Sequence, residues 1–542
     1  MENMSKRLKK IFIAIAVMMA ALICRMAYIQ IIGGEELAAA TRIQSLISLE
    51  GSNTRGMIYD RNGERLVADT KRYIYIMKPE DVDDDAKELL RKIDAGRVNG
   101  DGQGYIVYSS EDYDKNTGKK LIEDHGAYIL QASSRYSDEQ TAAHFIGYVN
   151  SKDTSGAAGL ELMYDDILSG YNRHLYAVAD VKGNILPGRG LIVTTDGEKD
   201  SYVDSGIRTT IDKEMQQAVE DIINKVEKNC AVVVLDCDSG GVTAMACTPG
   251  FDPNDVESYI DGKGDELINK ATQGEYPPGS IFKIIVAAAA LENGVDPDLV
   301  MECRGGVALG GLDISCRTGG DGGHGAISFE DAFAKSCNSF FIKLGQMTGA
   351  DKIAEMAEAF CLGEKALDGY PQESSGHVMT ESERQGDAIG NLSIGQGEML
   401  VTPVQVARMT NIIAEGGIDR GVHILVEDEP DDHQVISEKT AFIIGNMMEK
   451  TVISGTAQGL DLVDDSGEAE ASVKTGTAEF VQDGSMGTHG WMTGYTPCRE
   501  PEYVITVFVE GGASGSGSAG PVFRDIIQYL QESGSYSKPA LA

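Results

Sequence analysis

Strand-like runs stand at both ends of the larger, C-terminal part of this chain, with helical patterns between them. Ala231 to Asp236 and Val242 to Cys247 are apolar runs joined by Asp238-Ser239-Gly240-Gly241, a hairpin pattern. Ala471 to Thr475, Trp491 to Tyr495 and Tyr503 to Val509 bring the strand pattern back near the end. Helical patterns cover 280–292, 328–347 and 436–451, and a last helix covers Pro521 to Glu532. Strands at both ends with helices between them predict an α+β domain whose termini pair in one sheet. The change of texture falls near Ile207, where Thr209-Thr210-Ile211-Asp212 precedes a helix running to Val226, with Thr210 or Asp212 as its cap.

Ahead of that domain, residues 33–205 read as one mixed region. A helical pattern (Glu35 to Ser48) leads into Arg55-Gly56-Met57-Ile58-Tyr59-Asp60-Arg61-Asn62-Gly63-Glu64, in which Asn-Gly marks a hairpin turn. Asp81 to Asp94 is acidic and helical, 99–104 is a Gly/Asp-rich loop, and Asp196 to Asp200 is the expected hinge. At the N-terminus, Lys6, Arg7, Lys9 and Lys10 precede an apolar run from Ile11 to Cys24 that resumes from Met26 to Ile32. Counted to Ile32, the run approaches the roughly 20 residues a spanning helix needs, with Arg25 and Tyr28 near an interface. A cleaved signal peptide calls for a small-x-small site, and a lipoprotein signal calls for a small residue before Cys24. Neither stands in Leu22-Ile23-Cys24-Arg25. The expected organisation is a cytoplasmic tail (1–10), an uncleaved single-pass anchor (11–32), a non-catalytic module (33–205), a catalytic domain (206–533) outside the cytoplasm, and a disordered Gly/Ser-rich tail (534–542).

The formal net charge is −37, from 84 acidic against 47 basic residues, and such a field repels phosphate backbones. Nucleic acid is therefore not an expected partner. None of the nine cysteines forms a C-x-x-C pair, so no zinc-knuckle or thioredoxin-type motif is read. Cys303 and Cys316 are the suggestive pair: they bracket a Gly-rich stretch that a hairpin would close, and in an oxidising compartment they make a possible disulfide.

The chemistry concentrates at Tyr276-Pro277-Pro278-Gly279-Ser280-Ile281-Phe282-Lys283. Pro-Pro-Gly breaks the chain, and Ser280 opens an apolar helix, where the helix N-terminus favours developing negative charge. Lys283 lies at i+3 on the same face, and a desolvated lysine is neutral enough to take the hydroxyl proton. Alone this pattern says little. Ser535-Tyr536-Ser537-Lys538 in the tail matches it as well, and a serine before a helix is most often only a cap. Company changes the reading. Ser336-Cys337-Asn338 interrupts an apolar helical segment, with Ser336 able to relay a proton and the Asn338 amide able to hold a peptide group. Lys474-Thr475-Gly476-Thr477 ends a strand, with one positive charge, two hydroxyls and a glycine that lets a ligand lie against the backbone, a set suited to a carboxylate.

S-x-x-K, S-x-N and K-T-G in this order are the set shared by penicillin-binding proteins and class A β-lactamases. The chain resembles a class B penicillin-binding protein, a monofunctional peptidoglycan D,D-transpeptidase. Arg55 to Gly63, Gly159-Leu160-Glu161 with Tyr164, Ile394-Gly395-Gln396-Gly397, Thr402-Pro403, Lys474 to Ala478 and Trp491 to Pro497 carry the likeness over nearly the whole chain. The middle residue of the second motif, Cys337, departs from the common pattern. The resemblance implies the fold shared with serine β-lactamases, a central antiparallel sheet flanked by helices, after a single transmembrane helix and a pedestal-like or dimerisation-like module.

It also implies a mechanism. Ser280 attacks the penultimate D-Ala carbonyl of a stem peptide while Lys283 takes its proton. The backbone N–H groups of Ser280 and Thr477 form the oxyanion hole. Ser336 returns a proton to the departing D-Ala, Asn338 orients the peptide, and Lys474 with Thr475, Gly476 and Thr477 holds the carboxylate. No cofactor and no metal is implied. The implied partners are D-Ala-D-Ala stem peptides, β-lactams, a SEDS-type glycosyltransferase, and other membrane proteins of the division or elongation machinery. Two other readings belong beside this one. A β-lactamase needs a deacylating glutamate, for which Glu364-Lys365-Ala366-Leu367-Asp368 is the nearest match. A β-lactam sensor or scaffold would keep the core with little transpeptidation. No G-x-S-x-G elbow is present, and no histidine has a sequence context linking it to Ser280. His324 reads as a loop residue near the site, and His489 as structural or substrate-lining.

Overall fold

The computed structural model describes residues 55–67, 71–97, 105–133, 135–137, 139–150, 155–169, 173–178, 191–195, 206–260, 262, 264–309, 312–316, 319–320, 322–429, 432–482 and 485–534, with 46–48 and six positions between 12 and 22. Most of the expected anchor therefore lies outside the described residues. So do the 99–104 loop, the 196–200 hinge and the Ser535–Lys538 repeat of the first motif. Phe12, Ile15, Val17, Met18, Met19 and Leu22 are helical and exposed. Among the described residues no helix is long and apolar enough to cross a membrane.

The chain divides into two compact units. The first takes residues 1–55, 70–135 and 171–200. Its four-stranded antiparallel sheet runs in the order Gly96–Arg97, Ile106–Ser110, Lys71–Met77, Tyr128–Ser133. The helices Asp84–Lys92 and Lys115–His125 share a small core with Tyr75 and Met77. Each helix begins where an aspartate accepts backbone N–H groups: Asp83 from Ala86 at 2.8 Å, and Asp114 from Thr117 at 2.8 Å. A separate sheet joins Leu46–Ser48, Arg173–Val178 and Leu191–Thr195.

The second unit takes 56–69, 136–170 and 201–542. A clean boundary at 205/206 is thus not what the packing shows. Ile58, Phe145 and Leu160, from segments expected in the non-catalytic module, are buried in one core with Phe282 and Ile284. The Asn62-Gly63 turn is present: Gly63 has φ +85°, and the Asp60 carboxylate accepts the N–H groups of Asn62 and Glu64.

The central sheet of this unit has five strands: β1 (Cys230–Asp236), β2 (Val242–Cys247), β3 (Ser472–Gln482), β4 (Ser485–Thr496) and β5 (Tyr503–Val509). They lie in the order β2-β1-β5-β4-β3, antiparallel throughout. The strands from the two ends of the domain pair directly, Val233 opposite Thr506, as the sequence pattern predicts. β1 is apolar from Cys230 to Leu235 because both its faces are buried there. Ala231, Val233 and Leu235 enter one core, whereas Cys230, Val232 and Val234 enter another with Phe523 and Ile527 of the last helix, Gly520–Glu532. Asp212 caps the helix Lys213–Ile223, accepting from Met215 N–H at 3.0 Å.

On the first face lies α1 (Lys283–Glu292), in which every residue from Lys283 to Ala290 is buried. Such a helix, apolar all round, is central to its domain. The expected helix over 328–347 is two helices, α2 (Phe329–Ala334) and α3 (Asn338–Thr348). Between them Ser336 takes φ +55°, a left-handed conformation that ends the first helix, and extended Cys337 caps the second. The break turns the Ser-Cys-Asn motif out of the helical ladder.

Candidate active site

The turn carrying Ser280 is held by its neighbours at backbone level. The Trp491 indole N–H donates to the Pro277 carbonyl at 3.0 Å, and Gly279 N–H donates to the Gly395 carbonyl at 2.8 Å. Gly279 (φ +55°) backs onto β3, where an added Cβ would sit 2.7 Å from the Thr477 carbonyl oxygen. Gly395 (φ +70°) lies closer still, its Cβ position 2.1 Å from the Gly279 oxygen. At Gly476 the Cβ position is met by Ile281 Cγ2 at 3.0 Å and the Pro278 oxygen at 3.2 Å. The glycine of the third motif therefore makes room for the Ser280 turn. Gly279–Phe282 is a 3-10 turn, and the α-helix proper starts at Lys283. Ser280 is half-buried, on a surface otherwise closed by Ile281 and Phe282.

Lys283 is completely buried, and its Nζ donates to Ser336 Oγ at 3.0 Å, to the Ser336 carbonyl at 2.9 Å and to Asn338 Oδ1 at 2.7 Å. The Phe341 ring lies 5.4 Å from it. Burial draws the Lys283 pKa down to about 7, with the nearby Cys337 and Cys316 thiols acting weakly the other way. Lys474, also fully buried, donates from Nζ to the Thr475 carbonyl at 2.9 Å, and its Nζ lies 5.6 Å from the centre of the Phe333 ring. Its pKa falls well below the ordinary lysine range through burial, and the charge of Lys283 lowers it further. Burial thus brings the Lys283 pKa near neutrality, and the charge of Lys283 in turn disfavours a charge on Lys474. The three motifs thus come together although they lie far apart in the chain.

The remaining partners are equally specific. β3 is an edge strand, so one row of its backbone groups is left for something other than the sheet. The Thr475 hydroxyl pairs with Thr456 Oγ1 at 2.5 Å, and Thr477 Oγ1 accepts Gly515 N–H at 3.4 Å. Asn338 Nδ2 donates to the Ser315 carbonyl at 3.1 Å, so its amide bridges Lys283 to the 306–315 hairpin. Thr402 and Gln405 form a reciprocal cap on the helix Pro403–Ala414, which accounts for the Thr-Pro pair read beside Gly395 and Gly397.

His489 is structural. It is buried, stacks on Phe480 at 4.0 Å between ring centres, and accepts Gly511 N–H, with burial lowering its pKa to about 4. The Glu364 carboxylate is exposed, and its charge acts on Cys361 and Arg408. Cys303 and Cys316 come together as expected, at the ends of the strand pair Gly306–Leu309 and Leu312–Ser315. They are not bridged, and both thiols meet His324 and Cys337 instead. Sequence spacing alone did not reveal that convergence. It also gave no role to Gly395, although the segment itself was visible.

A five-stranded antiparallel sheet with a buried central helix, and a serine-lysine pair facing a Ser-x-Asn turn and a Lys-Thr-Gly edge strand, define the penicillin-interacting serine acyltransferases. The family model for the penicillin-binding protein transpeptidase domain matches residues 230–528, and that for the penicillin-binding protein dimerisation domain matches 51–200. Penicillin-binding protein PbpB of Mycolicibacterium smegmatis is 29% identical over 73% of this chain and 64% of its own length. Peptidoglycan D,D-transpeptidase PbpA of the same organism is 28% identical over 74% and 84%. Among solved structures, the penicillin-binding protein PBP2 of Helicobacter pylori, in complex with MreC, superposes with a TM-score of 0.67 at 22% identity, over 90% of this chain and 99% of that one. The chain belongs to the penicillin-binding protein transpeptidase family, as a class B member, and is a serine-type D,D-transpeptidase.

Proposed function

We propose that the protein cross-links peptidoglycan stem peptides through an acyl-enzyme on Ser280. The observation carrying this reading is the placement of Lys283 Nζ, buried and within hydrogen-bond distance of both Ser336 Oγ and Asn338 Oδ1. Neutral Lys283 accepts the Ser280 proton as the hydroxyl attacks the penultimate D-Ala carbonyl. The backbone N–H groups of Ser280 and Thr477 receive the oxyanion. Ser336, on the same lysine, passes a proton to the departing D-Ala nitrogen. Lys474 and the Thr475 and Thr477 hydroxyls hold the terminal carboxylate, and Asn338 turns its amide to the substrate peptide. An amine of a second stem then attacks the ester, which forms the cross-link and returns Ser280. β-Lactams enter the same site, and Ser280 opens their ring to an ester whose released nitrogen stays tethered to the acyl group, where it keeps the acceptor amine out.

Residues 11–32 anchor the chain in the membrane by their apolar run and basic flank, with the catalytic unit outside the cytoplasm. The membrane-proximal unit is offered to a SEDS-type glycosyltransferase and neighbouring wall-building membrane proteins. The Helicobacter pylori PBP2, whose structure is a complex with MreC, supports the reading that a protein partner docks on this chain. Deleting that unit is expected to abolish complex formation with the glycosyltransferase.

Two measurements test the chemistry. Penicilloyl adduct on the purified protein should persist, and rapid turnover of penicillin would instead make the protein a β-lactamase. The acylation rate should also depend on pH in a set direction. Because the Lys283 pKa is lowered, to about 7, the reactive neutral amine accumulates as pH rises. The rate therefore climbs through an inflection near neutrality and levels off above it. A rate that falls across this range would remove Lys283 from the role of base.

A further inference from the structure

The Ser-Cys-Asn turn contains one residue for which the acyl-transfer chemistry has no use. Cys337 lies between the two residues that hold Lys283, and it is completely buried. Its Sγ is 3.6 Å from that of Cys316, which is itself 3.6 Å from His324 Nδ1. With Cys303 these ligand atoms all lie within 4.8 Å of one another. We propose that Cys303, Cys316, His324 and Cys337 bind one zinc ion, and that this ion braces the turn holding the catalytic lysine.

The donor set is that of a structural zinc site, three thiolates and an imidazole. A tetrahedron with Zn–S of about 2.3 Å and Zn–N of about 2.0 Å has S···S edges of about 3.8 Å and S···N edges of about 3.5 Å. The observed separations of 3.6 Å match both kinds of edge. No carboxylate belongs to the cluster, so its softness selects zinc over calcium or magnesium. A disulfide between any two of these cysteines would leave a third buried thiol and the imidazole without a function. Zinc uses all four groups. As it binds, the three thiol protons leave to solvent.

The surrounding backbone is built around this convergence. Cys303 ends the strand Val300–Cys303, which pairs with Gly325–Ser328 and sets Cys303 opposite Gly325, next to His324. Gly323 has φ +74°, and an added Cβ there would lie 2.2 Å from the Cys303 oxygen and 2.3 Å from Gly305 N. Only glycine lets the histidine loop press so closely on the cysteine strand. Cys316 N–H donates to the Gly305 carbonyl at 2.8 Å, which closes the hairpin over the cluster. Cys337 caps α3, its sulfur accepting Phe340 N–H at 3.4 Å, which fixes the sulfur at the start of that helix.

All four positions of the tetrahedron come from the protein, so the ion is closed to substrate and acts by position. It ties the hairpin to Cys337, and through Cys337 it holds Ser336 and Asn338 against Lys283. Removing it should slow acylation by about 10²-fold, the cost of misplacing a catalytic group by about 1 Å.

The test uses the full chain, purified in detergent with a reducing agent and without chelator. Elemental analysis should find about one zinc per chain in the wild type and in Cys361→Ser, a thiol elsewhere. His324→Cys should keep the ion, since a fourth thiolate replaces the imidazole, and His324→Ala should lose it. Cobalt exchanged into the wild type should show the intense visible bands and thiolate charge transfer of a tetrahedral site, a readout that needs no variant to fold. Protein that binds neither zinc nor cobalt, or that carries a Cys303–Cys316 disulfide under these conditions, overturns the proposal. So does zinc that remains at full occupancy in His324→Ala. Penicillin labelling of Ser280 is scored separately, so loss of the metal reading leaves the acyl-enzyme reading standing, and the reverse.

Discussion

Ser280→Ala abolishes covalent labelling by fluorescent penicillin, whereas Ser535→Ala labels like the wild type. Both serines head an S-x-x-K pattern, and Ser280 stands before a buried lysine whose partners are Ser336 and Asn338. The same logic extends to Lys283→Met, which keeps the shape of the side chain and removes the amine. Acylation should then fall by roughly 10²–10⁴-fold, the usual contribution of a positioned general base. Ser336 Oγ and Asn338 Oδ1 would lose their donor, at about 1–3 kcal/mol for each buried group left unpaired. A melting curve taken beside the labelling assay separates this modest loss of stability from the loss of chemistry. Lys283→Arg should not rescue, because a guanidinium stays charged and accepts no proton. Labelling that survives in Ser280→Ala, or moves to Ser535, would overturn the site.

Gly395→Ala should damage the site from behind. Its Cβ would fall 2.1 Å from the Gly279 oxygen and 2.7 Å from Phe282 Cβ, so the turn that carries Ser280 has to move. The substitution also forces a left-handed conformation on alanine. Together these cost roughly 2–4 kcal/mol, and a displacement near 1 Å at Ser280 lowers acylation by about 10²-fold. Gly397→Ala is the informative control. It too has positive φ, +82°, but the nearest atom to its Cβ position is Asn391 Cβ at 3.5 Å, an ordinary contact. It should lose only about 1–2 kcal/mol and keep its acylation rate. Equal effects at the two glycines would mean that strain at the glycine, and not the contact with Gly279, governs this segment.

The elements of the catalytic unit were legible wherever a local pattern decides the outcome. Strand β5 runs from Tyr503 to Val509 as its apolar, β-branched sequence predicts, and the Asp238–Gly241 turn joins β1 to β2. The last helix and the Asp212 cap follow from periodicity and side-chain chemistry of the same local kind. Strands β3 and β4 run longer than predicted, to Gln482 and from Ser485, because cross-strand pairing carries polar residues that have little strand preference of their own. The apolar pattern over 328–347 concealed the break at Ser336, since residues on both sides of it enter one core. The division of units was misread for a related reason. Met57–Tyr59 pairs with Gly206–Arg208, distant in the chain, and a linear scan cannot see that pairing.

For the site, the sequence by itself determined the inventory: a serine ahead of a helix, a lysine one turn on, and two further motifs with the right groups. These are local facts, written within a few residues of one another and governed by helix pitch and strand alternation. Tertiary structure alone decided that Lys283 meets Ser336 across 53 residues of sequence, and that burial draws its proton affinity down. It also decided that the glycine of Lys-Thr-Gly admits the nucleophile's own turn, and that Cys303 and Cys316 meet a histidine and a third cysteine instead of closing on each other. Contacts between segments depend on where packing places whole elements, and no spacing within any single segment records that.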